Sequence, residues 1–288
     1  VKPSRYEQAR LVGGGSSING QFAVRGLASD YDEWSDYAPQ GWSYADLLPF
    51  FKKTERDLDF GGSEHGDSGR IPVRRIFEHE WGQYSRAILN AAIKEGLNFF
   101  EDLNGTDYDG CFPMPMTNQY GRRVSSGTAY LDAATRRRVN LEIFTDSHVS
   151  KLLIEGNRTI GVEVLGNQNL TNLYASEVII SAGALHSPAL LMRSGIGPGN
   201  HLNSHDIDVV ADLPGVGSNL MEHPSISLAA HLTTGARMPA HQRRHSSFVA
   251  RFSSKVANCA KGDMFLMPMN SAGWHPLGKS LGTLLGIV

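Results

Sequence analysis

The stretch that most restricts how this chain can fold is Glu177-Val178-Ile179-Ile180-Ser181, a short and nearly continuous apolar run. Such a run suits a strand buried on both faces. Ala182-Gly183-Ala184 follows it. Ser187 then reads as a helix N-cap, Pro188 as the first helical position and Gly195 as the residue past the end. A strand, a turn and a helix in that order point to an α/β protein. Ligands in open α/β sheets bind at the carboxyl end of such strands, where this chain has the small residues Ala182 and Gly183. Ordinary helix–strand packing accounts for the same pattern, so both readings stay open.

Other segments alternate in type. Ser43 with Asp46 predicts a capping box, opening a helix that carries Leu47, Leu48, Phe50 and Phe51 and that Pro49 should bend or shorten. Trp81, Tyr84, Ile88, Ala91 and Ala92 recur at helical spacing between 80 and 97, with Gly96 as a stop. Val149 to Ile154 and Ile160 to Leu165 predict a β-hairpin turned by Glu155-Gly156-Asn157. Ile226, Leu228, Ala230 and Leu232 alternate, as do Phe248, Ala250 and Phe252, predicting antiparallel strands with one buried face. Arg10 to Arg25 reads as a glycine-rich turn running into a helix.

The chain of 288 residues has a net charge of −2, far from the basic balance that a phosphate backbone requires, so nucleic acid is excluded as a main partner. No apolar run of some 18 residues predicts a transmembrane segment. Two cysteines, Cys111 and Cys259, are too few for a disulfide framework or a structural zinc site and read as free thiols. Without a signal segment, the default compartment is the cytoplasm. Three Asn-x-Thr triplets, at Asn104, Asn157 and Asn169, read as turn chemistry. The 31 glycines exceed the about 20 expected from ~7% usage, a hint of close backbone approaches.

Several motifs are candidates for chemistry. Gly273-Trp274-His275-Pro276-Leu277-Gly278-Lys279-Ser280 fits the P-loop pattern G-x-x-x-x-G-K-[ST]. Pro276 removes an amide from the cradle, and weak helix formers follow, so it reads as a coincidental turn. The pairs His201/His205 and His241/His245 lack the third ligand and embedded Glu of a zinc site, so no metal is expected. Arg136-Arg137-Arg138 reads as a solvated helix end. The strongest local feature is Arg10-Leu11-Val12-Gly13-Gly14-Gly15-Ser16-Ser17-Ile18-Asn19-Gly20. Its glycines let the backbone pass against a flat ring or a pyrophosphate. Ser16, Ser17 and Asn19 add short donors and acceptors, and Arg10 could neutralise phosphate. On the residues alone, a cofactor loop and a structural loop needing positive φ remain equal alternatives.

Four blocks, taken together, resemble a known family. Ala9 to Gly20 with Val24-Arg25-Gly26 and Asp30 to Trp34 is similar to the first signature of the glucose–methanol–choline (GMC) oxidoreductases, and Gly183 to Gly197 to the second. Gly121-Arg122-Arg123-Val124-Ser125-Ser126 through Ala129-Tyr130-Leu131 resembles the family's middle block. Pro214 to Pro224 resembles P-G-V-G-x-N-L-x-D-H-P, with Glu222 in the Asp place. The Ser-Ile-Asn-Gly wording at Ser17 to Gly20 is nearest to choline-dehydrogenase-like bacterial members.

The resemblance implies a flavoenzyme that oxidises the CH–OH group of a small-molecule alcohol, hydride passing to flavin N5. It implies that Gly13, Gly14, Gly15, Asn19 and Gly20 lie along the flavin and pyrophosphate, beside Arg10 and Ser17, whose own chemistry makes them candidate cofactor contacts. Val149 would meet the adenine, and Ala182 and Gly183 the adenosine half. Some members attach FAD through a His in the first block; Ser17-Ile18-Asn19 stands there, so non-covalent FAD is expected. The implied fold is part of an FAD-binding Rossmann-like domain (1–70 and 140–222) interleaved with a substrate domain on an antiparallel sheet (71–139 and 223–288).

The family's opening dinucleotide turn and its closing catalytic His with a partner His or Asn have no counterpart here. The chain is therefore expected to be an internal fragment, inactive by itself, with those residues outside it. The competing readings are a P-loop nucleotide-binding protein through Gly273 to Ser280, and a relative that kept the scaffold without the chemistry.

Overall fold

A computed structural model describes residues 6–38, 40–166, 169–228, 230, 232–237 and 246–269. Seven α-helices are assigned among them: α1 (Ala28–Trp34), α2 (Tyr44–Thr54), α3 (Gln83–Lys94), α4 (Ser126–Tyr130), α5 (Ala133–Arg136), α6 (Gly183–Arg193) and α7 (Gly199–Asn203). The strands before residue 140 are β1 (Glu55–Asp57), β2 (Ile71–Val73), β3 (Asn98–Phe99), β4 (Gly110–Pro113), β5 (Asn118–Gln119) and β6 (Arg122–Arg123). Those after it are β7 (Ser147–Glu155), β8 (Arg158–Gly166), β9 (Asn169–Tyr174), β10 (Ile196–Gly197), β11 (Ala211–Asp212), β12 (Phe248–Phe252) and β13 (Met264–Leu266). The chain is a mixed α/β protein. It divides into two compact units, one of Val1–Leu141 with Leu228–Val288, the other of Glu142–Ser227.

The first unit is built on a four-stranded sheet in the order β13-β12-β4-β3, with β12 antiparallel to both of its neighbours. Strand side chains alternate between faces. Phe248, Ala250 and Cys111 accordingly join Ile76, Trp81 and Leu89 in one core cluster. Val249 and Phe112 join Leu103, Met114 and Met116 in another. The expectation of one buried face for β12 is thus corrected, because both faces are covered. Even Arg251 is buried, at 3% exposure. Its guanidinium donates to the Thr106 and Tyr108 carbonyls at 2.6 and 2.9 Å and lies over the Phe112 ring.

Local signals set the helices of this unit. Ser43 and Asp46 form the expected capping box at the start of α2. The helix continues past Pro49 to Thr54 instead of stopping, and Phe50 faces solvent rather than the core. Helix α3 begins only at Gln83, two residues after Trp81. The indole stacks on Phe248 at 4.9 Å and donates to the Ile76 carbonyl at 2.7 Å. Gly96 takes φ +95° just beyond the helix end, as expected of a stop. Arg136, Arg137 and Arg138 are exposed at the end of α5.

In the second unit β7, β8 and β9 form an antiparallel sheet. Glu155 pairs with Arg158, so Gly156 and Asn157 make a two-residue turn, with Gly156 at φ +58°. The third strand, β9, was not anticipated; its Asn169-Leu170-Thr171 lies in that strand and not in a turn.

Three further expectations are corrected. Glu177 to Ser181 is not a strand: no neighbour pairs with it among the described residues, and Ile179 is 81% exposed. A parallel strand exists only through its ladder, so apolar composition alone does not make one. Ile226 and Leu228 are likewise exposed and unpaired among the described residues. Arg10 to Arg25 forms a single 3-10 turn and no α-helix, because two left-handed glycines interrupt the helical path. Cys111 is a buried free thiol and Cys259 an exposed one. No helix among the described residues is long and apolar enough to cross a membrane.

Candidate cofactor-binding site

The glycine-rich loop belongs to the first unit. Gly13 and Gly14 take φ +92° and +53°, values open to glycine at little cost. The chain then winds through a 3-10 turn, Gly14–Ser17, closed by Ile18 and Asn19 amides donating to the Gly15 carbonyl at 3.1 and 2.8 Å. Ser17 Oγ donates to the Val12 carbonyl at 3.0 Å, and Ser16 Oγ to that of Gly13 at 2.5 Å. Arg10 is exposed at the entrance, and Gly20 packs against the Phe22 ring.

The middle block holds this loop from behind. The Ser126 amide donates to Ser16 Oγ at 3.0 Å, and Ser126 Oγ to the Gly13 carbonyl at 3.1 Å. A Cβ on Gly127 would sit 3.0 Å from the Val12 carbonyl oxygen and 3.1 Å from Gly13 Cα, so the two glycines permit a close backbone approach. Arg123 donates to the Ser16 carbonyl at 3.0 Å, to Asn19 Oδ1 at 2.9 Å and to the Asn19 carbonyl at 2.6 Å. The opposite side of the loop is open: a Cβ on Gly14 or Gly15 would meet nothing within 4 Å. The structure places Gly13, Gly14, Gly15, Ser17, Asn19 and Gly20 in this one loop, with open backbone at Gly14 and Gly15, while Gly13 lies against Gly127 and Gly20 against Phe22. The open stretch at Gly14 and Gly15 leaves room for a flat or anionic group.

Val149, Ala182 and Gly183 lie in the second unit. Helix α6 begins at Gly183 (φ +88°), not after Ser187, and Pro188 lies inside it. The reason is local: Ser187 Oγ reaches back to accept from the Ala182 amide at 3.0 Å, supporting an earlier start. Gly195 follows the helix end at φ +82°, as expected. A bulge lies between Val149 and Lys151. There Arg193 from α6 donates to the Ser150 carbonyl at 2.8 Å and to that of Val149 at 3.4 Å. Ser194 Oγ accepts from the Leu152 amide at 2.8 Å. Helix α6 thus grips the strand that carries Val149. An open groove of about 470 Å³ in this unit is lined by Leu152, Glu155, Tyr174, Arg193, Asp208 and Val210, but not by Val149, Ala182 or Gly183.

Sequence reasoning missed a buried charge cluster in the first unit. His65, with 2% of its side chain exposed, has Nε2 at 2.7 Å from Asp102 Oδ2 and Nδ1 at 3.0 Å from Asp57 Oδ2. Arg75 bonds both Asp57 oxygens at 2.8 and 2.7 Å, and Arg25 pairs with Glu55 at 2.5 Å. Burial alone would lower the His65 pKa. Its hydrogen bond to Asp102 and its close charge contacts with Asp57 and Glu55 outweigh that and hold it up at about 11, which makes the ring a cation. Burial raises the carboxyls of Asp57, Glu55 and Asp102, yet their hydrogen bonds to His65 and the nearby arginines bring all three below the ordinary range. Asp59 goes the other way, raised by burial. Glu55, Asp57 and His65 place ligand atoms within 4.8 Å of one another, as a metal site would. The guanidinium groups already occupy those carboxylates, which opposes a further cation. The cluster draws on residues 25 to 102, so no motif spacing announces it.

His201 and His205 stack edge to face at 4.8 Å at the end of α7. His241, His245 and the stretch Gly273 to Ser280 lie outside the described residues.

The fold is that of a mixed α/β protein with an open, glycine-lined loop, and comparison with known proteins gives its family. Residues 3–225 match the family model for GMC oxidoreductase, and the chain belongs to that family. It is 44% identical over 269 residues to 5-(hydroxymethyl)furfural oxidase of Methylovorus sp., covering 92% of this chain and 51% of that protein. It is 40% identical over 229 residues to an oxygen-dependent choline dehydrogenase of Brucella ovis, covering 78% of this chain and 41% of that protein. Among solved structures, pyridoxine 4-oxidase from Mesorbium loti matches 91% of this chain and 50% of its own, at 32% identity and a TM-score of 0.77. An FAD-dependent oxidoreductase from Chaetomium thermophilum matches 72% of this chain and 38% of its own, at 33% identity and a TM-score of 0.64. The chain spans about half the length of the curated relatives it matches.

Proposed function

We propose that the protein carrying this chain is an FAD-dependent oxidoreductase acting on the CH–OH group of an alcohol. The observation that carries this reading is the Gly13–Gly20 loop, bare over Gly14 and Gly15 and braced on its other side by Ser126 and Gly127. Bound FAD would supply the hydride acceptor, at flavin N5. The loop backbone would lie along the isoalloxazine and pyrophosphate, and Arg10 would balance phosphate charge. Val149, Ala182 and Gly183 would hold the adenosine half. Ser17-Ile18-Asn19 has no imidazole at the family's attachment position, which supports non-covalent binding. Segments 1–70 and 140–222 would serve the cofactor, and 71–139 and 223–288 the substrate. We assign no residue of this chain to proton abstraction.

The substrate class is a primary alcohol borne on a heteroaromatic ring. The likeness to a furfural-alcohol oxidase and to a pyridoxine oxidase extends over more than nine-tenths of the chain, whereas the match to choline dehydrogenase covers 78%. In the test, the full-length protein is purified and its visible spectrum followed anaerobically on addition of 5-(hydroxymethyl)furfural, pyridoxine or choline. A flavin spectrum that bleaches with the ring-borne alcohols and not with choline is expected. A colourless protein that takes up no FAD overturns the flavin reading. Bleaching by choline alone overturns the substrate assignment.

A further inference from the structure

The middle block touches the glycine loop through one side chain in particular. Arg122 and Arg123 are neighbours in β6, yet Arg122 is exposed and Arg123 half-buried. Arg123 makes three donor contacts, all to the segment Ser16–Asn19. One goes to the side-chain oxygen of Asn19, which also accepts from the Gln21 amide at 3.0 Å. Both lone pairs of that oxygen are therefore used, and the carboxamide has a single sensible orientation. Its NH2 group has no hydrogen-bond partner among the described residues. A carboxamide held in this way presents two donors and no acceptor.

We propose that Arg123 is a positioning residue for the cofactor. It pins the Asn19 carboxamide with its oxygen inward, so that the NH2 donors face an acceptor on the bound flavin nucleotide. Ser126 pins the Gly13 end of the same loop through Ser16. The inference rests on the flavin reading above. Its geometry is a planar fork in which two nitrogens reach three acceptors, a spread that an ammonium, with all its donors on one nitrogen, does not reproduce.

The test uses the full-length holoenzyme and its Arg123→Ala, Arg123→Lys and Asn19→Asp variants. FAD affinity, the visible circular dichroism of the bound flavin and the melting temperature are read for each. Arg123→Ala is expected to lose roughly tenfold or more in FAD affinity, the fold-change carried by one charge-assisted hydrogen bond. Arg123→Lys, which keeps the charge, should fall close to Arg123→Ala. Asn19→Asp keeps the bond to Arg123 but has no NH2. It should therefore melt no lower than the wild type without cofactor, yet bind FAD more weakly and with an altered dichroism band. Wild-type affinity and dichroism in Arg123→Lys would mean that charge alone matters and would overturn the proposal. So would wild-type FAD binding in Asn19→Asp. A wild-type protein that binds no flavin would instead remove the reading on which the proposal stands.

Discussion

Replacing His65 by Gln tests the buried charge cluster directly. The imidazolium bridges Asp102 at 2.7 Å and Asp57 at 3.0 Å, with Glu55 at 3.6 Å from the same Nδ1. Glutamine can donate from one end only, so Asp57 or Asp102 loses its contact with the ring, although both keep Arg75 and Glu55 keeps Arg25. Breaking a buried ion pair by removing one member costs about 3–5 kcal/mol. With one contact kept, about 3 kcal/mol is expected, or roughly 6–12 °C in melting temperature for a protein of this size. The pH dependence sharpens the test. The folded ring titrates at about 11, against roughly 6.5 when unfolded. Between those values the folded state holds one proton more, so stability falls as pH rises. The His65 contribution is whole below about pH 6.5 and lost as pH passes through about 11. The depressed carboxyls of Glu55, Asp57 and Asp102 act in the opposite sense. Their contribution is present above about pH 4 and lost as pH falls. Asp59, raised by burial, partly offsets them. Denaturant midpoints of the full-length wild type and His65→Gln across neutral and alkaline pH read the His65 effect, and midpoints carried below about pH 4 read that of the carboxyls. Equal midpoints at pH 7, or a variant that keeps the wild-type decline between pH 7 and 10, would show that His65 is not a buried cation.

Two further outcomes are expected. Gly127→Ala should gain about 1 kcal/mol of helix propensity in α4. Its Cβ, however, would press 3.0 Å from the Val12 carbonyl oxygen, against loop backbone and not against a yielding side chain. Near-neutral melting with weakened FAD binding is therefore the expected result, and unchanged FAD affinity would show that the approach to Gly13 is not needed. Brief alkylation of the native protein at pH 8 followed by mass spectrometry should find Cys259 modified and Cys111 intact. Burial shields the Cys111 thiol and pushes its pKa up to about 11. Equal labelling of both would refute the burial of Cys111 in the core cluster that holds Trp81 and Phe248.

What could be read from the sequence alone were features whose hydrogen bonds close within a few residues. The Ser43–Asp46 box, the Gly156–Asn157 turn, the Gly96 and Gly195 helix ends and the positive-φ Gly13–Gly14 path all belong to that class. The four family blocks were legible for the same reason, as short runs with fixed spacing. Tertiary structure decided whatever depends on a distant partner. Glu177 to Ser181 has strand composition, but no strand pairs with it among the described residues. The charged Arg251 lies deep inside because the Thr106 and Tyr108 carbonyls and the Phe112 ring happen to surround it. Arg123 and Ser126 sit in a recognisable block, yet their hold on a loop more than a hundred residues earlier appears only once the chain is folded. Spacing along the chain encodes a cap or a turn, because its partners are neighbours. It does not encode which remote backbone groups a buried cation must find to satisfy its charge.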